Sequence, residues 1–265
     1  MKEICTDLAK EYDELDAVVA ALDESGWNRM TPAEGWTIKD QIRHIAFYDE
    51  RAVLAVTEPE AFAQHLAEIS KDPLGHLEAL EKADKDLAGA EVLLGWRQIR
   101  RVLLDVLLPL DRKARLPWYG PPMSAMSFAT ARIMETWAHG QDVADALGID
   151  RVPTDRLRHV AHLGIATFGW SFINRGLKVP DSQVRVEVTS PSGELWTWGP
   201  VGAESTVRGP AEDFCLVVVQ RRHPDDTRLV NEGEVARQWM SIAQTYAGPP
   251  GAGRKPGDFS KKTLS

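Results

Sequence analysis

The sequence predicts an α+β protein: a four-helix bundle over residues 1–150, a small α+β domain over 151–248, and a flexible tail over 249–265. Three observations predict this. Apolar residues recur at three- and four-residue steps along four long segments of the first 150 residues, which is the pattern of a helical bundle. Alternating strand patterns appear only after residue 180. Glycine and proline crowd the chain from Gly248 onward, with little to pack.

The elements follow in order. Residues 2–25 form the first expected helix, with Ile4, Leu8, Tyr12, Leu15, Val18, Val19 and Leu22 on one stripe and Gly26 as its stop. Thr37 caps a second, with Asp40 three residues on in a capping-box arrangement. Ile38, Ile42, Ile45, Ala46 and Val53 carry that helix to about Val56. Residues 59–72 are a more polar helical stretch. A long helix is expected over 75–109, ended by Pro109. Residues 111–125 read as irregular, and Ser124 or Ser127 opens a fourth main helix, 125–147, closed by Gly148. In the second part, Thr154 or Asp155 caps one helix over 154–175. Val184–Val188 and Leu195–Trp198 are a hairpin around a turn at 190–194, and Ser205–Arg208 is a third strand. Residues 210–221 and 233–246 read as helices.

Composition narrows the function. The 265 residues are 43% hydrophobic and 26% charged, with a net charge of −8. An acidic surface repels phosphate backbones and anionic lipid, so neither nucleic acid nor membrane is an expected partner. Cys5 and Cys215 allow at most one bridge and read as reduced thiols in a cytoplasmic protein. The start of the chain lacks the apolar region of a secretory signal, and no run of about 18 apolar residues exists. There is no Gly-x-Gly-x-x-Gly after a strand, no P-loop and no Gly-x-Ser-x-Gly, so nucleotide and serine-hydrolase chemistry lack support.

One constellation carries chemistry. Glu135 and His139 are four apart, so a helix stacks them on one face, beside the apolar Ala131, Met134 and Val143. A buried carboxylate is costly unless paired or metal-bound. His44 lies among Ile42, Ile45 and Ala46 on the second helix. Together the three give His₂Glu, which leaves coordination positions open as catalytic zinc requires. The same residues also fit a buried polar cluster without metal. Asp142 is placed to orient a ligand imidazole. Trp36, Trp118 and Trp137 are candidates for the mouth of the site, and Tyr48 lies one turn beyond His44. The cofactor side is expected at Trp36, Tyr48 and Asp142. Arg221 and Arg222, ending the 210–221 helix, read either as charges that complement the helix dipole or as an anion clamp. His65, His76 and His223 read as solvated, and His159 and His162 as ordinary helix residues.

The segment Gly35-Trp36-Thr37-Ile38-Lys39-Asp40-Gln41-Ile42-Arg43-His44-Ile45 resembles a helix signature of the DinB-like metalloenzymes. The stretch Glu135-Thr136-Trp137-Ala138-His139-Gly140-Gln141-Asp142-Val143-Ala144-Asp145-Ala146-Leu147-Gly148 is similar to that of the mycothiol-dependent maleylpyruvate isomerase family. The resemblance implies zinc on His44, Glu135 and His139, and mycothiol as a thiol cofactor. It implies that a C-terminal arginine approaches the site, for which Arg221 or Arg222 is the match by context. It further implies a metal-activated thiolate that adds to an electrophilic small molecule, as an isomerase or an S-transferase. Two alternatives stay open: a non-catalytic metal-binding protein that holds a ligand or partner, and a metal-dependent hydrolase on the same site. Either a monomer or a homodimer is compatible with the sequence.

Overall fold

The computed structural model describes residues 1–72 and 86–259. The expected helical turns between 75 and 85 lie outside the described residues, as do His76 and the tail from 260. The chain divides into two compact units, Met1–Asp150 and Arg151–Ser265. The class is α+β. Among the described residues no helix is long and apolar enough to cross a membrane.

The first unit is helical: α1 (Lys2–Val19), α2 (Glu24–Trp27), α3 (Ile38–Thr57), α4 (Pro59–Lys71), α5 (Gly89–Leu107) and α6 (Ala125–Leu147). The first helix ends sooner than its apolar stripe suggested. Asp23 accepts from the Gly26 amide (2.8 Å) and starts a separate turn, so Gly26 sits inside α2 instead of stopping α1. The expected capping box forms on α3: Asp40 N–H donates to Thr37 Oγ1 (3.2 Å), and Thr37 N–H donates to Asp40 Oδ2 (2.9 Å). Ser124 caps α6 through the Ser127 amide (3.1 Å), and Gly148 closes it at φ 67°. Helices α3 and α5 pack together, and α1 and α3 both pack on α6. Ile4, Leu8, Ile38, Ile42, Ile45, Trp96, Leu103, Phe128 and Ile133 are buried in that core. The segment read as irregular holds a short antiparallel pair, β1 (Arg115–Leu116) and β2 (Met123–Ser124).

The second unit begins with α7 (Leu157–Ala166) and α8 (Phe168–Ile173), where one helix was expected. The break falls at Thr167, whose hydroxyl bonds back to the Leu163 carbonyl (2.8 Å), the competition with the helix ladder that threonine offers. Asp155, a candidate cap, instead accepts from the Ser192 amide (3.1 Å) in the hairpin turn. The sheet comprises β3 (Val184–Thr189), β4 (Leu195–Trp198), β5 (Ser205–Pro210) and β6 (Val230–Glu232), in order β4-β3-β5-β6. Strand β6 has only three residues and no alternating apolar pattern, so its pairing with β5 was invisible in the sequence. One face of the sheet, with Val186, Val188 and Val207, is buried. Helices α9 (Ala211–Val218) and α10 (Glu234–Ile242) pack against the sheet. On the other face Glu187 bridges Arg185 and Arg208, each at 3.0 Å. The segment 249–259, expected to be loose, is tied to this unit. Arg175 donates to the Gly251 carbonyl (2.9 Å), the Gly251 amide to Gln244 (3.1 Å), and the Gly257 amide to Asp226 (2.8 Å).

Candidate metal centre

Helices α3 and α6 hold the centre. His44 projects from α3, and Glu135 and His139 from successive turns of α6. The possible ligand atoms of His44, Glu135 and His139 all lie within 4.8 Å of one another. The two imidazole rings are 4.4 Å apart between centroids. His139 is buried, while His44 and Glu135 are partly open.

Hydrogen bonds fix the His139 tautomer. The Thr31 hydroxyl donates to the Trp36 carbonyl (2.9 Å), which can only accept. The Gln41 amide nitrogen therefore donates to Thr31 Oγ1 (2.9 Å), and Gln41 Oε1 faces His139 Nδ1 at 2.5 Å. That nitrogen must carry the proton. His139 Nε2 then faces Glu135 Oε2 at 3.3 Å, with either a second proton or a cation to hold them together. A charge-assisted hydrogen bond is about 2.7–2.9 Å long. An imidazole nitrogen and a carboxylate oxygen sharing one tetrahedral zinc stand about 3.4 Å apart at ordinary bond lengths. Both a shared proton and a shared ion are compatible with the separation.

The electrostatics keep Glu135 ionised. Burial alone would raise the Glu135 pKa. The hydrogen bond and charge of His139, with Arg132 and His44, outweigh burial and hold it down at about 2. Behind it, Arg132 Nε donates to Asp49 Oδ1 at 2.9 Å, and Trp96 donates to Asp49 Oδ2 at 3.2 Å. Asp49 is fully buried and Arg132 is 3% exposed.

The structure places the remaining candidates as follows. Trp36 lies 5.1 Å from the His44 ring and nearly parallel to His139 at 6.0 Å. Tyr48 lies 4.7 Å from His44. Asp142 is fully buried on α6, but the Nδ1 of His139 is met by Gln41. Trp137 is buried and Trp118 partly so. Arg221 and Arg222 belong to the second unit. Arg221 Nη1 donates to the Val219 carbonyl (2.8 Å), Arg222 Nη1 to the Arg221 carbonyl (2.7 Å), and the Arg222 guanidinium lies 4.4 Å over the Phe259 ring. His65, read as solvated, instead hydrogen-bonds the Tyr119 hydroxyl (2.9 Å). His223 Nδ1 accepts from the Asp225 amide (3.2 Å). Sequence reasoning missed Gln41, although its place three residues before His44 puts it on a neighbouring position of the same helix.

The family model for the mycothiol maleylpyruvate isomerase N-terminal domain matches residues 8–144, and one for wyosine base formation matches residues 180–231. Uncharacterized proteins from two Mycobacterium tuberculosis strains are each 46% identical over 248 residues, covering 94% of this chain and 96% of their own. A crystal structure of the mycothiol-dependent maleylpyruvate isomerase, as a histidine-to-alanine mutant, shares the fold. Its TM-score is 0.54 at 16% identity, over 87% of this chain and 92% of that one. A second crystal structure of the isomerase gives 0.51 at 16% identity, over 83% and 89%. The chain thus belongs to the family defined by the mycothiol maleylpyruvate isomerase N-terminal domain.

Proposed function

We propose that the protein is a cytoplasmic, metal-dependent enzyme that uses a low-molecular-weight thiol, mycothiol, against an electrophilic small molecule, as an isomerase or an S-transferase. The observation that carries this reading is the three-donor cluster of His44, Glu135 and His139 with the His139 tautomer set by Gln41. A divalent ion, zinc by the donor set, would supply Lewis acidity that lowers the pKa of a bound thiol and makes a thiolate available at neutral pH.

The chain's own residues do the rest. His44, Glu135 and His139 supply one negative charge and two neutral nitrogens, which leaves net positive charge on a bound divalent ion for an anionic ligand. Gln41 and Thr31 hold His139 in the tautomer that leaves Nε2 bare. Trp36 and Tyr48 flank His44 and bound its side of the site. Asp142 is proposed to support α6 beneath His139. Family membership supports the thiol. The buried, unpaired Cys5 and Cys215 accord with a reducing compartment.

The test is metal analysis of protein purified without a chelating tag, followed by cobalt substitution and mycothiol titration. Near-stoichiometric metal, lost in His44→Ala and Glu135→Ala, with a thiolate-to-cobalt band on titration, is the expected result. Metal without a thiolate band would overturn the thiol reading and leave a hydrolytic or structural site. Absence of metal would overturn the centre itself.

A further inference from the structure

The side chains beyond Tyr48 form a wall that continues from the metal centre. Tyr48 contacts His44 on one side, and Tyr119 (5.5 Å) and Trp118 (6.2 Å) on the other. Trp118 and Tyr119 sit in the turn between β1 and β2, and both are held. Trp118 lies parallel to Phe62, within 2° at 5.7 Å, and edge-on to Phe128 at 4.8 Å. The Tyr119 hydroxyl is hydrogen-bonded to His65 Nε2 at 2.9 Å, which ties the turn to α4. Trp118 and Tyr119 pack on the core with one part of their rings, and all four of Trp36, Tyr48, Trp118 and Tyr119 keep a part exposed.

Among the described residues, three arginines of this unit each have a carboxylate partner. Arg132 is paired with Asp49 at 2.9 Å, Arg43 with Asp40 at 2.8 Å and Arg51 with Glu50 at 2.9 Å. A dicarboxylate placed against the wall would lose its hydration and meet rings whose faces are electron-rich. A flat, uncharged ring would instead gain stacking and edge contacts on surfaces already fixed in place.

We infer that the wall of Trp36, Tyr48, Trp118 and Tyr119 is a binding site for a neutral, planar aromatic small molecule, and that it selects such a molecule over a dicarboxylate. That this ligand is the electrophile rests on the thiol reading given above; that it binds does not. The turn carrying Trp118 and Tyr119 is then the specificity element, and His65 is the residue that positions it.

The test is isothermal titration calorimetry of the full, zinc-loaded chain with three probes: 2-naphthol (neutral and flat), cyclohexanol (neutral and not flat) and maleate (a flat dianion). The expected result is that 2-naphthol binds at least about tenfold more tightly than either other probe, with the gap reduced about five- to tenfold in Tyr119→Leu and Trp36→Leu. Trp36 lies outside the α-helices, so its replacement keeps the test sound if Tyr119→Leu unfolds. The proposal is overturned if maleate binds as tightly as 2-naphthol, if 2-naphthol does not bind, or if both folded variants bind it as the wild type does. Loss of the thiolate-to-cobalt band with naphthol binding intact would overturn only the thiol reading.

Discussion

His139 donates through Nδ1 to Gln41 Oε1 at 2.5 Å, a contact between residues 98 positions apart. This bond ties α6 to α3 and decides which nitrogen of the ring faces Glu135. Gln41→Leu removes the acceptor while keeping similar volume. The expected outcome is a 10- to 100-fold weaker hold on zinc, about the loss usual for outer partners of ligating histidines, measured by competition with a chromophoric chelator. Gln41→Glu, which keeps an acceptor, should restore much of it.

Glu135 gives a pH dependence with a defined sign. Its pKa is lowered from 4.5 to about 2 in the fold, so the carboxylate binds protons less readily folded than unfolded. The stability it contributes is fully present above about 4.5 and is lost as the pH falls through about 2. Urea unfolding of metal-free protein across that window should show a shallower decline in Glu135→Gln than in wild type.

Asp49 and Arg132 form a buried ion pair beside the candidate metal centre. Asp49→Ala would strand a guanidinium in the core and should cost about 3–5 kcal/mol, read from chemical denaturation. A double replacement by apolar residues of matching volume, Asp49→Leu with Arg132→Met, should recover most of the loss, since the pair itself adds little over good packing.

Gly89 opens α5 against the buried Trp27. A Cβ there would stand 2.1 Å from the indole ring. Gly89→Ala raises helix propensity by about 1 kcal/mol. Even so, it should lower the melting temperature, because the overpacking cost of about 1–3 kcal/mol exceeds that gain. A rise in melting temperature would show that Trp27 moves aside freely.

The sequence by itself determined the helices on which His44, Glu135 and His139 lie. Thr37 with Asp40, and Ser124 with Gly148, mark the ends of α3 and α6 through local hydrogen bonds, so their boundaries were legible. Glu135 and His139 share a face by helical periodicity alone. Only the tertiary structure decided what surrounds them. The contacts of His139 with Gln41, Asp49 with Arg132 and His65 with Tyr119 span 98, 83 and 54 positions, and no periodicity encodes such distances. The same reason hid β6, a strand of three residues that exists because β5 offers it an edge, and the fastening of residues 249–259, whose glycines and prolines gain their order from Gln244, Asp226 and Arg175.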